Sequence, residues 1–258
     1  MCRPSADIPA KPTTQVFYFK HIMLNKDEDD KVELPAKLQT FLGTDKKSEL
    51  MMDVIQPLQI TWKGTDYGEL QHNQHKEYSD CEYWGQLDNE GLRHGIGKLV
   101  FKSGTSYEGE HWHGKYKGQG IMVFASGNVY DGEWRDGVRN GCGESRYANK
   151  DRYVGTFKND KKHGEGSYFY KNGNVYVGGW NMDSRDGKGT YIFVNGEYYN
   201  GDYVMNKREG YAVYRNANGE AYEGEYAAGK RNGKGKYTYN SGAVYDGGWK
   251  EDKKHGDG

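Results

Sequence analysis

The chain has 258 residues, and its 36 basic and 37 acidic side chains leave a net charge of −1, so charge gives no case for a nucleic-acid partner. Hydrophobic residues make up only 34%, yet 14% are aromatic, with 23 Tyr and 38 Gly against 5 Pro. A mean hydropathy of −1.05 would suit a disordered chain, but abundant Tyr and Gly with little Pro point to turns and stacked rings. No apolar stretch approaches the roughly 20 residues a membrane-spanning helix needs, and the first residues lack the apolar core of a secretory leader. Cys2, Cys81 and Cys142 form neither a CxxC pair nor an even set, so no zinc or disulfide framework is indicated and a reducing, cytoplasmic compartment is expected.

In chain order, residues 1–82 read as an N-terminal extension, partly disordered and otherwise mixed α/β. Pro4, Pro9 and Pro12 argue for disorder over 1–14. The pattern predicts a strand over 14–24, a charged loop over 26–31, short helices over 35–41 and 45–55, and a degenerate repeat fragment over 60–64. Such a segment serves as a cap on the first sheet edge or as a separate docking element.

From residue 83 to 258 the chain is periodic. Tyr-x-Gly recurs at Tyr83, Tyr107, Tyr130, Tyr153, Tyr176, Tyr199, Tyr222 and Tyr245, with steps of 23 residues after a first step of 24. This gives seven full repeats and a partial eighth. With each Tyr as position 1, positions 1, 3 and 5 are Tyr, Gly and an aromatic, and they share one face of a strand. Positions 12, 14, 16 and 18 alternate likewise, as Gly164, Gly166, Tyr168 and Tyr170. Each repeat is therefore two short strands. Gly weakens a strand unless another group must approach the backbone, so a ring from a neighbouring hairpin is expected to lie over it. Asn172-Gly173, Asn195-Gly196 and Asn218-Gly219 predict type I′ turns between repeats. The sixth repeat departs twice, with Ala212 for a glycine and Asn216 for an aromatic, and reads as the weakest link.

Tyr130-Asp-Gly132-Glu-Trp134, Tyr176-Val-Gly178-Gly-Trp180 and Tyr245-Asp-Gly247-Gly-Trp249, with His94-Gly-Ile-Gly97 and His163-Gly-Glu-Gly166, closely resemble the MORN repeat family. The likeness spans about two-thirds of the chain. His111 departs from it, standing where an aromatic is usual. The resemblance implies an all-β fold, an elongated single-layer antiparallel sheet of tandem hairpins bent into a groove. At about 4.8 Å per strand, a repeat adds roughly 10 Å and the array about 70 Å. It further implies a non-catalytic scaffold for protein–protein interaction, with other proteins of a large assembly as partners. Similar proteins occur in the cytoskeleton, notably the ciliary axoneme and radial spoke. Two alternatives stay open: a peripheral membrane adaptor on anionic phospholipid, and a regulatory module of a larger enzyme.

No nucleophile elbow, P-loop or HExxH is present, and no catalytic, cofactor or metal residues are assigned. His72-x-x-His75 and His111-x-His113 offer metal-ligand pairs, but no carboxylate or cysteine completes either in a recognisable pattern. Two binding features are expected instead. Arg139, Lys162, Arg185, Arg208, Arg231 and Lys254, all at position 10, form a basic ladder along the loop edge, for an acidic partner or simply solvated. Tyr130, Trp134, Tyr153, Phe157, Tyr176 and Trp180 line an aromatic groove for a helix or extended peptide.

Overall fold

The structure is a computed structural model that describes residues 74–258. The elements predicted over 14–24, 35–41, 45–55 and 60–64 lie outside the described residues. The rest is all-β. Seventeen strands form one open layer, each antiparallel to its neighbour in the chain. The sheet begins before the first Tyr-x-Gly, because Gln74–Glu77 pairs with Cys81–Leu87.

One repeat shows the construction. Arg152–Lys158 is its first strand and Lys161–Phe169 its second. Their register sets Gly155 against Gly166, and Gly155 also faces Gly143 of the preceding repeat. The same pairing recurs along the array, so a column of glycines crosses the sheet, broken by Ala212 opposite Gly201. The ring of Tyr153 lies on this column. A Cβ at Gly166 would fall 2.4 Å from the Tyr153 hydroxyl and 2.5 Å from its ring. The ring over each glycine thus comes from the same hairpin, not from a neighbouring one as the sequence suggested. The reason is register: positions 1 and 16 are cross-strand partners, so the ring at 1 reaches position 14 diagonally.

A β-bulge follows position 3, where the register jumps between Gly155 and Phe157. It frees the carbonyl of position 4, and the Tyr hydroxyl uses it: Tyr153 donates to Thr156 O at 3.0 Å. All eight position-1 tyrosines make this bond to the residue three further on. Gly164, opposite the bulge, has φ of 71°, which explains glycine at position 12 separately from position 14.

Neighbouring repeats interlock through the position-5 aromatics. Tyr130 meets Phe157 edge-on at 5.0 Å, and Phe157 meets Tyr153 edge-on at 5.1 Å. Tyr153 then meets Trp180 at 5.4 Å, and the alternation continues to Trp249. Each such contact contributes about 0.5–1.5 kcal/mol beyond area burial. The tryptophans add a bond between repeats: Trp134, Trp180 and Trp249 donate Nε1–H to Gly120, Gly166 and Gly235 carbonyls.

The turns differ from expectation. Both central residues have positive φ at the tip inside a repeat, as at Asn159 (48°) and Asp160 (66°), so the type I′ turns lie there. At the Asn-Gly sites only the glycine does, as at Gly173 (87°), which donates to Tyr170 O. That is a type I turn closed by a glycine bulge. The Asn172 side chain caps it by accepting from Asn174 N.

Gly166→Val is expected to lower the melting temperature, because the side chain displaces the Tyr153 ring; overpacking of this kind costs about 1–3 kcal/mol. Gly166→Ala should cost less, since Ala212 fills the equivalent place. An unchanged melting temperature for the valine variant would show that the ring does not depend on the glycine.

Candidate functional site

The position-1 and position-5 rings are not a groove. Tyr130, Tyr153 and Tyr176 are at most 1% exposed, and Trp134, Phe157 and Trp180 at most 5%. They form the core, sunk between the glycine column below and a second tier of rings above. That tier is half-buried and includes Tyr168, Tyr170, Tyr191, Tyr214 and Tyr237. Any partner on this face meets these position-16 and position-18 rings first.

The basic ladder is also placed differently. Its residues through Arg231 stand in second strands rather than in an edge loop, and their side chains lie over the aromatic face. Arg139 sits over Phe157 at 5.2 Å, Lys162 over Trp180 at 4.5 Å, and Arg231 over Trp249 at 4.3 Å. Lys254 lies over Tyr245 at 4.5 Å and is exposed. Each contact is of the cation–π kind and adds about 0.5–2 kcal/mol. Burial holds the Lys162 pKa below its ordinary value, although Asp183 pulls the other way.

Most of these cations are clipped by the turn of the next repeat. Asp160 Oδ1 accepts from Arg139 N and Nε, both at 3.0 Å. Asp183 accepts from Lys162 N, Asn206 from Arg185 N, and Asp252 from Arg231 N and Nε. Arg208 departs from the pattern. Its clip position is Gly229, which supplies only a backbone N–H to Arg208 O at 2.9 Å. The ring expected at position 18 is replaced there by Asn216. A hollow of about 240 Å³ opens at this point, lined by Arg208, Arg231, Tyr214, Tyr226, Tyr237 and Asn216, with Asp252 at its side. On the opposite face the acidic and basic positions pair across strands, as in Lys98–Glu108 and Lys188–Asp202.

His111 keeps the ring chain intact where an aromatic is missing. It meets Tyr83 edge-on at 5.3 Å and Tyr107 at 5.0 Å, and it is 3% exposed. Nδ1 lies 3.1 Å from Gly109 O, a group that only accepts, so Nδ1 carries the proton. Burial first, and then the Arg93 guanidinium, lower its pKa to about 4.

Near the first repeat the chain gathers three polar groups. Asp88 follows the strand Cys81–Leu87, His94 is in Arg93–Phe101, and His113 is in the turn after Ser106–Trp112. Asp88 Oδ2 lies 2.8 Å from His113 Nδ1 and 3.9 Å from His94 Nδ1. All three ligand-type atoms fall within 4.8 Å of one another. Asp88 Oδ1 is occupied separately, accepting from Leu92 N and Glu90 N. Burial works to raise the Asp88 pKa, but the hydrogen bonds from Leu92, His113 and Glu90 outweigh it and keep the carboxylate below its ordinary range. The pair His111-x-His113 is therefore not brought together: His111 is in the core, and His113 meets a carboxylate, Asp88, and a different imidazole, His94. The only linear trace of this cluster was the extra residue in the first repeat's loop.

Between pH 6.5 and about 4 the unfolded chain protonates His111 and the folded chain does not. Stability is therefore full above pH 6.5 and falls as pH drops toward 4, by about 3 kcal/mol at most. His111→Phe should remove this part of the acid sensitivity, which melting curves over that range would measure. A wild-type to variant difference that does not change with pH would show that the folded imidazole titrates normally.

The family described as MORN repeat matches residues 89–106, 107–129, 130–152, 153–175, 176–198, 199–221, 222–244 and 245–258. No curated protein matches the chain. Among solved structures, the chain is similar to the SAS-4 (dCPAP) TCP domain of Drosophila melanogaster, solved in complex with a proline-rich motif of Ana2. The identity is 13%, with 67% of this chain and 88% of that one covered and a TM-score of 0.39. The E1021V mutant of the TCP10 domain of Danio rerio CPAP matches at 11% identity, over 68% and 93% of the two chains, with a TM-score of 0.26.

Proposed function

Since this chain belongs to the MORN repeat family, whose repeats are interaction modules, we propose that it is a non-catalytic scaffold that docks an acidic protein segment on its aromatic and cationic face. The observation that carries the reading is the hollow at Arg208. Two features that accompany Arg139, Lys162, Arg185 and Arg231 are missing there together, the clipping side chain and the position-18 ring. A guanidinium already oriented by Tyr199 at 4.7 Å and Tyr214 at 5.3 Å is left without a carboxylate partner among the described residues. An incoming Asp or Glu would supply what Asp160 and Asp252 supply elsewhere. Arg presents a planar fork suited to a carboxylate, and holding it on rings in advance reduces the entropy lost on binding.

In this reading the partners are other proteins of a large cytoskeletal assembly. The cytoplasm is the compartment, and the ciliary axoneme with its radial spokes is the setting. The resemblance of the repeats supports that setting. So does an open sheet whose exposed apolar side chains, Met205 and Tyr211 among them, suit burial against neighbours.

Reversing Arg185, Arg208 and Arg231 to Glu together should abolish capture of the partner. Arg208→Glu alone should weaken it by about tenfold, the equivalent of about 1.4 kcal/mol, and Arg208→Lys, which keeps a cation over Tyr199 and Tyr214, should weaken it less. Arg139→Glu should lower the melting temperature, because it breaks the Asp160 clip. The measurement is affinity purification with the full chain as bait, followed by mass spectrometry. Unchanged capture by the triple variant would remove the cationic face from the mechanism. Recovery of anionic vesicles by flotation, with no protein captured, would favour the membrane-adaptor alternative.

A further inference from the structure

We infer that Asp88, His94 and His113 form a binding site for a divalent transition-metal ion of the zinc type. Two imidazoles and one carboxylate suit zinc and its neighbours, and three protein ligands leave a fourth position open to water or to a partner's side chain. The spacing fits. A tetrahedral ion about 2 Å from each donor needs donors about 3.3 Å apart. The Asp88 separations of 2.8 Å and 3.9 Å bracket that distance, and all three donor atoms lie within 4.8 Å of one another, so side-chain adjustment without backbone movement completes the set.

Each ligand is also presented for the task. The Asp88 carboxylate is 12% exposed, and its second oxygen is fixed by two backbone N–H groups, which aims the first at the imidazoles. His94 Nδ1 is buried without a hydrogen-bond partner. His113 is half exposed and gives the ion a path from solvent.

The repeat provides an internal comparison. His163 occupies the same repeat position as His94, and its Nδ1 is likewise buried without a partner. Around it, however, Lys158 stands in the place of Asp88 and Met182 in the place of His113. A histidine at this position is thus a repeat feature, whereas the three-ligand set occurs in the first repeat and arises from two departures that meet in space. Trp112 contacts both imidazoles, with ring centroids 4.5 Å from His94 and 4.9 Å from His113. Its fluorescence should report an ion bound between them.

The test is titration of the chelator-treated full chain with zinc, followed by calorimetry and by the shift in melting temperature. The expected result is one equivalent bound, a raised melting temperature, and a d–d absorption of tetrahedral type when cobalt replaces zinc. His113→Gln and Asp88→Asn lie at or beside turns and leave the core untouched; each should weaken binding by about tenfold or more. His163→Ala should leave it unchanged. Absence of saturable uptake, or uptake that survives both ligand variants, would overturn the proposal.

Discussion

Each repeat depends on a tyrosine ring lying flat on paired glycine backbones, with its hydroxyl tied to a carbonyl three residues on. A single-layer sheet has no second layer to bury its apolar face, so it must make a core from its own thickness. The glycine column lowers the floor by the height of a side chain, and the ring fills the space. The bulge releases the carbonyl that satisfies the buried hydroxyl. Without that bond a sunken phenol would leave a polar group unpaired, which costs about 1–3 kcal/mol. Ring, glycine pair and bulge are therefore one device rather than three.

The position-5 aromatics turn eight such devices into a continuous array. Each stands edge-on between the tyrosine of its own repeat and that of the preceding one. Coupling is thus nearest-neighbour, as expected of a solenoid. The cations of position 10 add a second tie on the same face, each spread over rings of its own repeat and in most cases also of the next, and usually held by the next turn. This explains why so polar a chain folds: its arginines and lysines cover aromatic surface with their stems and planes, and apolar aliphatics are hardly needed.

A regular array is uniform along its length, so specificity must come from departures. In the sixth repeat, Asn216 replaces a ring, and Gly229 follows at a turn position where Asp160, Asp183, Asn206 and Asp252 carry clipping side chains, although Gly114 and Gly137 do not; the hollow at Arg208 opens where both are missing. In the first repeat, an extra loop residue and a histidine in the following turn place Asp88, His94 and His113 together. Ala212 is a departure of another sort: it stands in the glycine column yet keeps its pairing with Gly201, and Tyr199 remains fully buried.

The 23-residue period, two strands per repeat, the shared face of positions 1, 3 and 5, and the family likeness were all legible in the chain. Periodicity is a property of linear order, and alternation on a strand follows from it directly. The sequence also marked Asn216 and His111 as irregular. It did not separate core from groove at Tyr130, Trp134 and Phe157, because a ring at an alternating position reads the same whether it is covered or open. Nor did it place the ladder, since a cation beside a turn looks solvated until its side chain is seen to fold back over a ring. Which hairpin supplies the ring over Gly166, and which carboxylate meets His113, were decided by register and by the extra loop residue at Asp88. Those are relations between residues distant in sequence, and only the folded sheet brings them within reach of one another.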